Sequence, residues 1–429
     1  MPLTHQESQP MWRILQMMIG RRQCRRGLAV SQRRERPTGM RRGMFEPLEA
    51  RQMLAFNPTG QEQEMLELIN GFRRDASRNY DVLERQGQVT DTLRLFNVNQ
   101  TRAEQQFDAL AKNVPPLAWD EARLNAARAH ANTMKNQNVI RHSGHTPENV
   151  LGVQINSPVT VETMHAMLAI DVTRRGSSTD ANRDGIIDSL GHRKLLARTD
   201  FVEIGVGIAT RARGQNHFAF VNQQFERATA GQNPFVMGVV FKDTNDNNRY
   251  DAGEGLGGVT IHIVNATRTL QTITMSAGGF QIRVPAGSYD VIAQGEGVGT
   301  AKFLGRANVT TQNVKLDLET KAGSRQDGVI TGFVFEDTNQ NGRRDSGERG
   351  LANRTVFVSL DGNAQRNTYE VSATTSDTGF FRIVGAPAGF RIGRLAAKNG
   401  FVSTTGDFTR ATVIRDQTVA GVHFGQIPV

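Results

Sequence analysis

The chain has 429 residues, 38% of them hydrophobic and 22% charged, a globular composition with room for roughly two to four domains. Its formal charge of +9 points to nucleic acid or an anionic surface until its distribution is read. Residues 1–55 hold eleven arginines, no lysine and four glutamates, a net +7, which leaves +2 for the other 374 residues and removes most of the case for nucleic-acid binding. The single cysteine, Cys24, excludes an intramolecular disulfide and a cysteine-cluster zinc site. No run of ~18 apolar residues occurs, so no transmembrane helix is expected.

Residues 1–57 read as a basic leader. Its best apolar run, Met11–Ile19, is interrupted by Arg13 and Gln16 and is shorter and more polar than the core of a standard signal peptide. Met44-Phe-Glu-Pro-Leu-Glu-Ala-Arg-Gln-Met-Leu-Ala55 has the shape of a processing or targeting tag. It resembles a leader found on secreted and surface proteins of planctomycete bacteria, of the form F-E-x-L-E-x-R-x-(L/M)-L-A. That resemblance implies export to the extracellular space or the cell surface. Composition alone leaves open a disordered basic arm that stays in the cytosol.

Residues 58–228 form a helix-rich region. Met65, Leu68, Ile69 and Phe72 recur at i, i+3, i+4 and i+7, one face of a helix. A polar stretch follows to Asn113, with helix expected around Thr101–Leu110. Asp120 is a helix N-cap, and Leu124, Ala127, Ala131 and Met134 form the buried stripe behind it. Phe201–Ile208 and Asn216–Asn222 read as strands, short, apolar and punctuated by glycine.

Within this region Leu66-Glu-Leu-Ile-Asn70, Leu117-Ala-Trp-Asp120, Leu124-Asn-Ala-Ala-Arg-Ala-His-Ala131 and Glu148-Asn149 occur in order. They are followed by Leu190-Gly-His-Arg-Lys-Leu-Leu196, Val202-Glu-Ile-Gly-Val-Gly-Ile208 and a last aromatic strand. Together these resemble the CAP superfamily of cysteine-rich secretory, antigen 5 and pathogenesis-related proteins, in its bacterial SCP-like extracellular branch. The resemblance implies an α-β-α sandwich with a cleft lined by two histidines and two acids. Residue by residue it points to His142, Glu148 and His192, with Asp171 where the bacterial branch carries an acid. Pro147 stands where the family has glycine, the His142–Glu148 spacing is short, and an insertion follows Asp171. Chemically, two imidazoles and two carboxylates suit one divalent cation, zinc or another. Glu148 as base with a histidine as acid is the alternative, and mutual hydrogen bonding that only organises the cleft is a third. No Gly-x-Ser-x-Gly elbow occurs and Cys24 lies in the leader, so no activated nucleophile is in view.

The insertion reads Asp180-Ala-Asn-Arg-Asp-Gly-Ile-Ile-Asp188. Asp180, Asn182, Asp184 and Asp188 fall at positions 1, 3, 5 and 9 of a calcium loop, with the carbonyl of Ile186 at 7 and Gly185 at the turn. Position 12 is Gly191, so the usual glutamate is missing. Both a third calcium site and a plain Asx-rich turn fit.

The C-terminal half is duplicated. Gly238–Glu254 aligns with Gly332–Glu348 at an offset of 94 residues, and further on Ala277–Phe280 aligns with Asp377–Phe380. Alternation such as Val259/Ile261/Ile263 and Val356/Val358/Leu360 marks half-buried strands, so each unit, 233–320 and 328–429, is expected to be an antiparallel β-sandwich. Asp243, Asn245, Asn247, Asp251 and Glu254 take positions 1, 3, 5, 9 and 12 of a calcium loop, with the Arg249 carbonyl at 7. Asp337, Asn339, Asn341, Asp345 and Glu348 repeat the set, with the Arg343 carbonyl at 7. These units resemble the B domains of staphylococcal SD-repeat adhesins, of the collagen-adhesin B type, which implies spacer modules stiffened by calcium.

The sequence therefore predicts an α+β chain: a CAP-type sandwich at 58–228 followed by two β-sandwiches. The leading functional expectation is an exported protein whose cleft recognises an extracellular lipid, glycan or protein, with no nucleic-acid partner. A secreted metal-dependent hydrolase and a purely structural surface scaffold are the alternatives.

Overall fold

The structure, a computed structural model, describes residues 56–145, 147–320, 327–360, 364–387, 389–414 and 417–429. The leader expected over 1–57 lies outside them except for Phe56 and Asn57.

The N-terminal domain opens on a capping box. Glu62 N–H donates to Thr59 Oγ1 at 3.2 Å and Thr59 N–H to Glu62 Oε2 at 2.8 Å, which fixes the start of α1 (Gly60–Arg74). Met65, Leu68, Ile69 and Phe72 are buried on its inner face, as the spacing predicts. Three short helices follow: α2 (Ala76–Glu84), α3 (Gly87–Leu95) and α4 (Gln100–Asp108). The last overlaps the helix expected around Thr101–Leu110, starting one residue earlier; the first two fall in the polar stretch before it. Next come β1 (Ala118–Trp119), α5 (Glu121–Gln137), β2 (Glu148–Ile155), α6 (Val161–Ile170), α7 (Gly191–Leu196), β3 (Phe201–Arg213) and β4 (Asn216–Arg227). The Asp120 carboxylate caps α5, accepting from Arg123 N–H at 2.7 Å.

The four strands form one sheet in the order β1-β3-β4-β2. Helix α5 covers one face and lies close on β3. A Cβ at Gly205 would come within 2.0 Å of the Arg123 backbone, and one at Gly207 within 2.2 Å of Ala127. The other face meets α1 and α6 in a core that includes Ile69, Phe72, Leu168, Val206 and Val221. This is the helix–sheet–helix sandwich the sequence predicts.

The first β-sandwich contains β5 (Phe235–Phe241), β6 (Thr260–Asn265), β7 (Arg268–Ile273), β8 (Gly279–Arg283), β9 (Gly287–Gly295), β10 (Gly299–Val309), β11 (Val314–Lys315) and β12 (Leu318–Glu319). One sheet runs β10-β9-β6-β7; in the other, β5 pairs antiparallel with β8 and in parallel with β11 and β12. The second contains β13 (Asp327–Glu336), β14 (Thr355–Ser359), β15 (Ser372–Thr374), β16 (Phe380–Pro387), β17 (Gly389–Leu395), β18 (Phe401–Ser403), β19 (Phe408–Val413) and β20 (Thr418–Pro428). Its sheets are β16-β13-β20-β18 and β15-β14-β17-β19. Both sandwiches are antiparallel but for the last segment, which returns parallel to the first strand.

Strand register corrects one detail of the repeat. Gly238 faces Phe280 across the first pair and Gly332 faces Phe381 across the second. Phe280 therefore corresponds to Phe381, one place beyond the sequence alignment with Phe380.

The first sandwich is joined to the N-terminal domain by specific polar contacts. Trp119 N–H donates to Gln281 Oε1 at 2.8 Å, and Gln281 Nε2 donates back to the Trp119 carbonyl at 2.9 Å. Arg283 pairs with Glu203 at 2.7 Å. Lys315 sits between Glu67 Oε2, 2.6 Å away, and Asp317. Burial works against its charge, but Asp317 and Glu67 outweigh it and raise the Lys315 pKa. Val264 and Ile292 of the first sandwich enter the core of the second, and His262 packs on Tyr369 with ring centroids 4.6 Å apart.

Candidate functional site

The cleft is built at the edge strand β2. Successive residues of a strand face opposite sides, so Glu148 and Asn149, its first two, divide the site between the two faces of the sheet. Glu148 lies opposite Gln224 and Asn149 opposite Gln223.

On the α5 side, the Glu148 carboxylate is buried among donors. Oε1 accepts from His142 Nδ1 at 3.1 Å and from Ser143 N–H at 2.6 Å; Oε2 accepts from Ser143 Oγ at 2.6 Å and Asn222 Nδ2 at 2.8 Å. Burial alone raises its pKa, but the bonds from Ser143, Asn222 and His142 outweigh it and hold the carboxyl below the usual range. A carboxylate so stabilised is a weak base. On the other side, Asp171 is fully buried. It accepts from His192 Nδ1 at 2.9 Å and from the N–H groups of His192 and Arg193, each at 3.0 Å. Asn149 ties the halves together, donating to the His192 carbonyl at 3.3 Å and to Gln223 Oε1 at 3.0 Å.

His142, Glu148, Asp171 and His192 thus form two imidazole–carboxylate pairs, not one four-ligand cage. No three of them bring ligating atoms within 4.8 Å of one another. The reason is that both carboxylates are taken up by backbone and side-chain donors. Each imidazole is anchored through Nδ1, and neither Nε2 makes a hydrogen bond among the described residues.

The sequence reading missed Ser143 and the amide row Asn222-Gln223-Gln224. Three consecutive amides inside the otherwise apolar strand Phe218–Phe225 are the signal that marks them. Asn149 Oδ1, Gln223 Nε2 and Gln224 Oε1 are buried without partners among the described residues.

The two sandwich loops share one conformation. Asp243 accepts from the N–H groups of Asn247 and Asn248 at 3.2 and 2.8 Å; Asp337 accepts from those of Asn341 and Gly342 at 3.1 and 2.9 Å. Asp251 accepts from the amides of Asn245 and Asn247, and Asp345 from those of Asn339 and Asn341. Glu254 and Glu348 fold back on the N–H of Asp251 and Asp345 at 3.0 and 2.9 Å. The sixth position has φ +59° at Asn248 and +73° at Gly342, the left-handed turn the pattern demands. Arg249 and Arg343 place their carbonyls at position 7. All donors offered are oxygens, the set that suits a hard cation.

The loop at 180–188 turns similarly: Asp180 accepts from Asp184 and Gly185 N–H at 2.9 and 3.0 Å, and Asp188 accepts from Asn182. Ile186 is buried and bridges to Val172, so the loop docks beside Asp171. Asp184 differs from its counterparts in already holding a cation, Arg102, at 3.0 Å.

Among the described residues, three ligating atoms of His, Cys, Asp or Glu lie within 4.8 Å of one another at one place, Glu64, Glu162 and Asp251. They border an open groove of about 500 Å³ between the N-terminal domain and the first sandwich loop. Burial, then the neighbouring Glu162, pushes the Glu64 carboxyl up to about 8.

Residues 66–224 match the profile of the Cysteine-rich secretory protein family, CAP. The chain carries a CAP domain, and β-sandwich domains follow it. Serine-aspartate repeat-containing protein D of Staphylococcus aureus is 31% identical over 162 residues in strains Newman and MW2, covering 33% of this chain. The chain spans 12% of the length of these relatives. Among solved structures, GBS52, the minor pilin of Streptococcus agalactiae, aligns with 46% of this chain and 97% of its own at 13% identity and a TM-score of 0.24. BmVAL-1 aligns with 39% of this chain and 77% of its own at 18% identity and a TM-score of 0.20. No helix among the described residues is long and apolar enough to cross a membrane.

Proposed function

We propose that this is an exported, cell-surface-associated protein whose CAP cleft recognises an extracellular lipid, glycan or protein partner, carried on two calcium-stiffened sandwiches. The observation that carries the reading is the pair of imidazoles at the β2 edge, each anchored through Nδ1 and presenting an unengaged Nε2. Such groups donate to or accept from a polar ligand. Covalent catalysis gains no support, since Ser143 Oγ, beside the His142–Glu148 pair, donates to Glu148 and makes no hydrogen bond to an imidazole among the described residues. Calcium is proposed for the Asp243–Glu254 and Asp337–Glu348 loops. The third loop is left out because its twelfth position is Gly191 and the usual glutamate is missing.

One observation favours a second reading. A carboxylate that holds Nδ1 of a histidine orients the ring and leaves Nε2 free to ligate a metal, so each cleft imidazole is chemically suited to a zinc-like ion. That ion would supply a Lewis acid for hydrolysis.

Incubation of the intact protein with separated lipid, glycan and protein fractions of cell envelopes tests the leading reading. One fraction is expected to be retained by the parent and lost by His142→Ala and His192→Ala. Equal retention by parent and both variants would rule out the cleft as the recognition site.

A further inference from the structure

The two sandwich loops share a sequence pattern and a hydrogen-bond pattern, yet their surroundings differ. The second leans on its own sandwich, where the Thr404 hydroxyl donates to Asp337. The first is pressed against the CAP domain. Ala252 N–H donates to Glu64 Oε2 on α1 at 3.1 Å. Arg249, whose carbonyl holds the seventh loop position, sets its guanidinium on Glu162 Oε1 of α6 at 2.7 Å, and 3.3 Å from Asp251 Oδ1. Gly60, the first residue of α1, lies so close that a Cβ there would stand 3.2 Å from Gly253 N. Positions 7 to 11 of the loop are therefore also the contact surface for two CAP helices.

We propose that the first loop is a cation-dependent latch between the CAP domain and the first sandwich; this rests on the reading that the loops bind calcium. The contacts need residues 249–253 in the conformation seen, and so does the cation. Whatever orders the segment for one partner orders it for the other, and the coupling is reciprocal. Gln281, Arg283 and Lys315 hold the domains together without the cation, so its loss frees the loop corner and the first turns of α1 and α6, not the whole interface. The second loop makes no contact with a CAP helix among the described residues, so its affinity should not respond to changes in α1 or α6.

The test is calcium titration of the full chain by calorimetry. Glu348→Gln leaves the first loop active and Glu254→Gln leaves the second. Adding Glu162→Gln to each is expected to weaken calcium at the first loop by about fivefold or more and to leave the second unchanged. Hydrogen exchange in α1 and α6 should slow with calcium in Glu348→Gln and stay the same in Glu254→Gln. Melts in chelator verify that Glu162→Gln folds, and Glu64→Ala serves as the second probe of the same contact. Calcium binding with no effect of Glu162→Gln and no change in α1 or α6 exchange overturns the latch while the calcium reading stands. Absence of calcium binding in both single variants refutes both.

Discussion

His165 shows what a single buried polar residue does to this chain. It lies on α6 with Nε2 3.2 Å from Asn79 Oδ1 and its other nitrogen unpartnered, and burial pushes its pKa down to about 3. The unfolded chain takes up that proton near pH 6.5, while the folded chain refuses it until about pH 3. Stability is therefore untouched above pH 6.5 and falls as the pH drops through that window. Between pH 7 and pH 5 this one group should cost about 2 kcal/mol. Urea unfolding of His165→Gln at both pH values should show the loss shrink by that amount. Asn79 also explains a gap in the sequence reading. Ala76, Asn79, Tyr80 and Leu83 are the buried stripe of α2, but an amide stands where an apolar residue would have revealed the period, because it serves His165 and the Leu68 carbonyl. The cleft residues were legible only as far as motifs carried them. His142, Glu148, Asp171 and His192 lie at the cleft, but nothing in their spacing tells that the strand divides them into two pairs.

At the scale of elements, helix faces and caps were readable because each depends on a few neighbouring residues. The Met65–Phe72 stripe and the Asp120 cap are local patterns, and α1 and α5 follow from them. The placement of α5 is a long-range matter, set by two glycines in Gly205-Val-Gly207 that allow its backbone to lie on β3. Gly207→Ala forces the Ala127 turn off the strand, and a well-packed contact of this kind should cost about 3 kcal/mol. A denaturation series against the parent checks it, and a loss under about 0.5 kcal/mol would mean that the helix shifts freely. The repeat was legible from its loops, while its strand register was not. Phe280 and Phe381 are equivalent because Gly238 and Gly332 face them across the sheet, and only pairing reveals that.

At the scale of the whole molecule, the spacer picture undergoes its largest change. Sequence similarity to repeat modules implies spacers, but the first sandwich is fastened to the CAP domain through Gln281, Arg283 and Lys315. Such contacts join residues 80 positions apart or more and leave no periodic trace. Lys315→Met would strand the Glu67 carboxylate at the interface, a change expected to cost about 3 kcal/mol. Replacing both, Lys315→Met with Glu67→Leu, should recover most of the loss; a double variant as unstable as the single would show that the charge pair is not the cause.

The charge that opens the sequence belongs mostly to the leader, and the remaining chain carries acids at matching positions of its two repeated loops. The two repeated loops are proposed as calcium sites in the ~10⁻⁴–10⁻³ M range of extracellular modules. Equilibrium dialysis of the intact protein against calcium at about 10 mM, above the whole of that range, alone and with Glu254→Gln and Glu348→Gln, measures this directly. Two ions per chain are expected, with one lost in each variant and both lost in the double. Calcium uptake that neither substitution alters, or no uptake at all, would contradict the proposal.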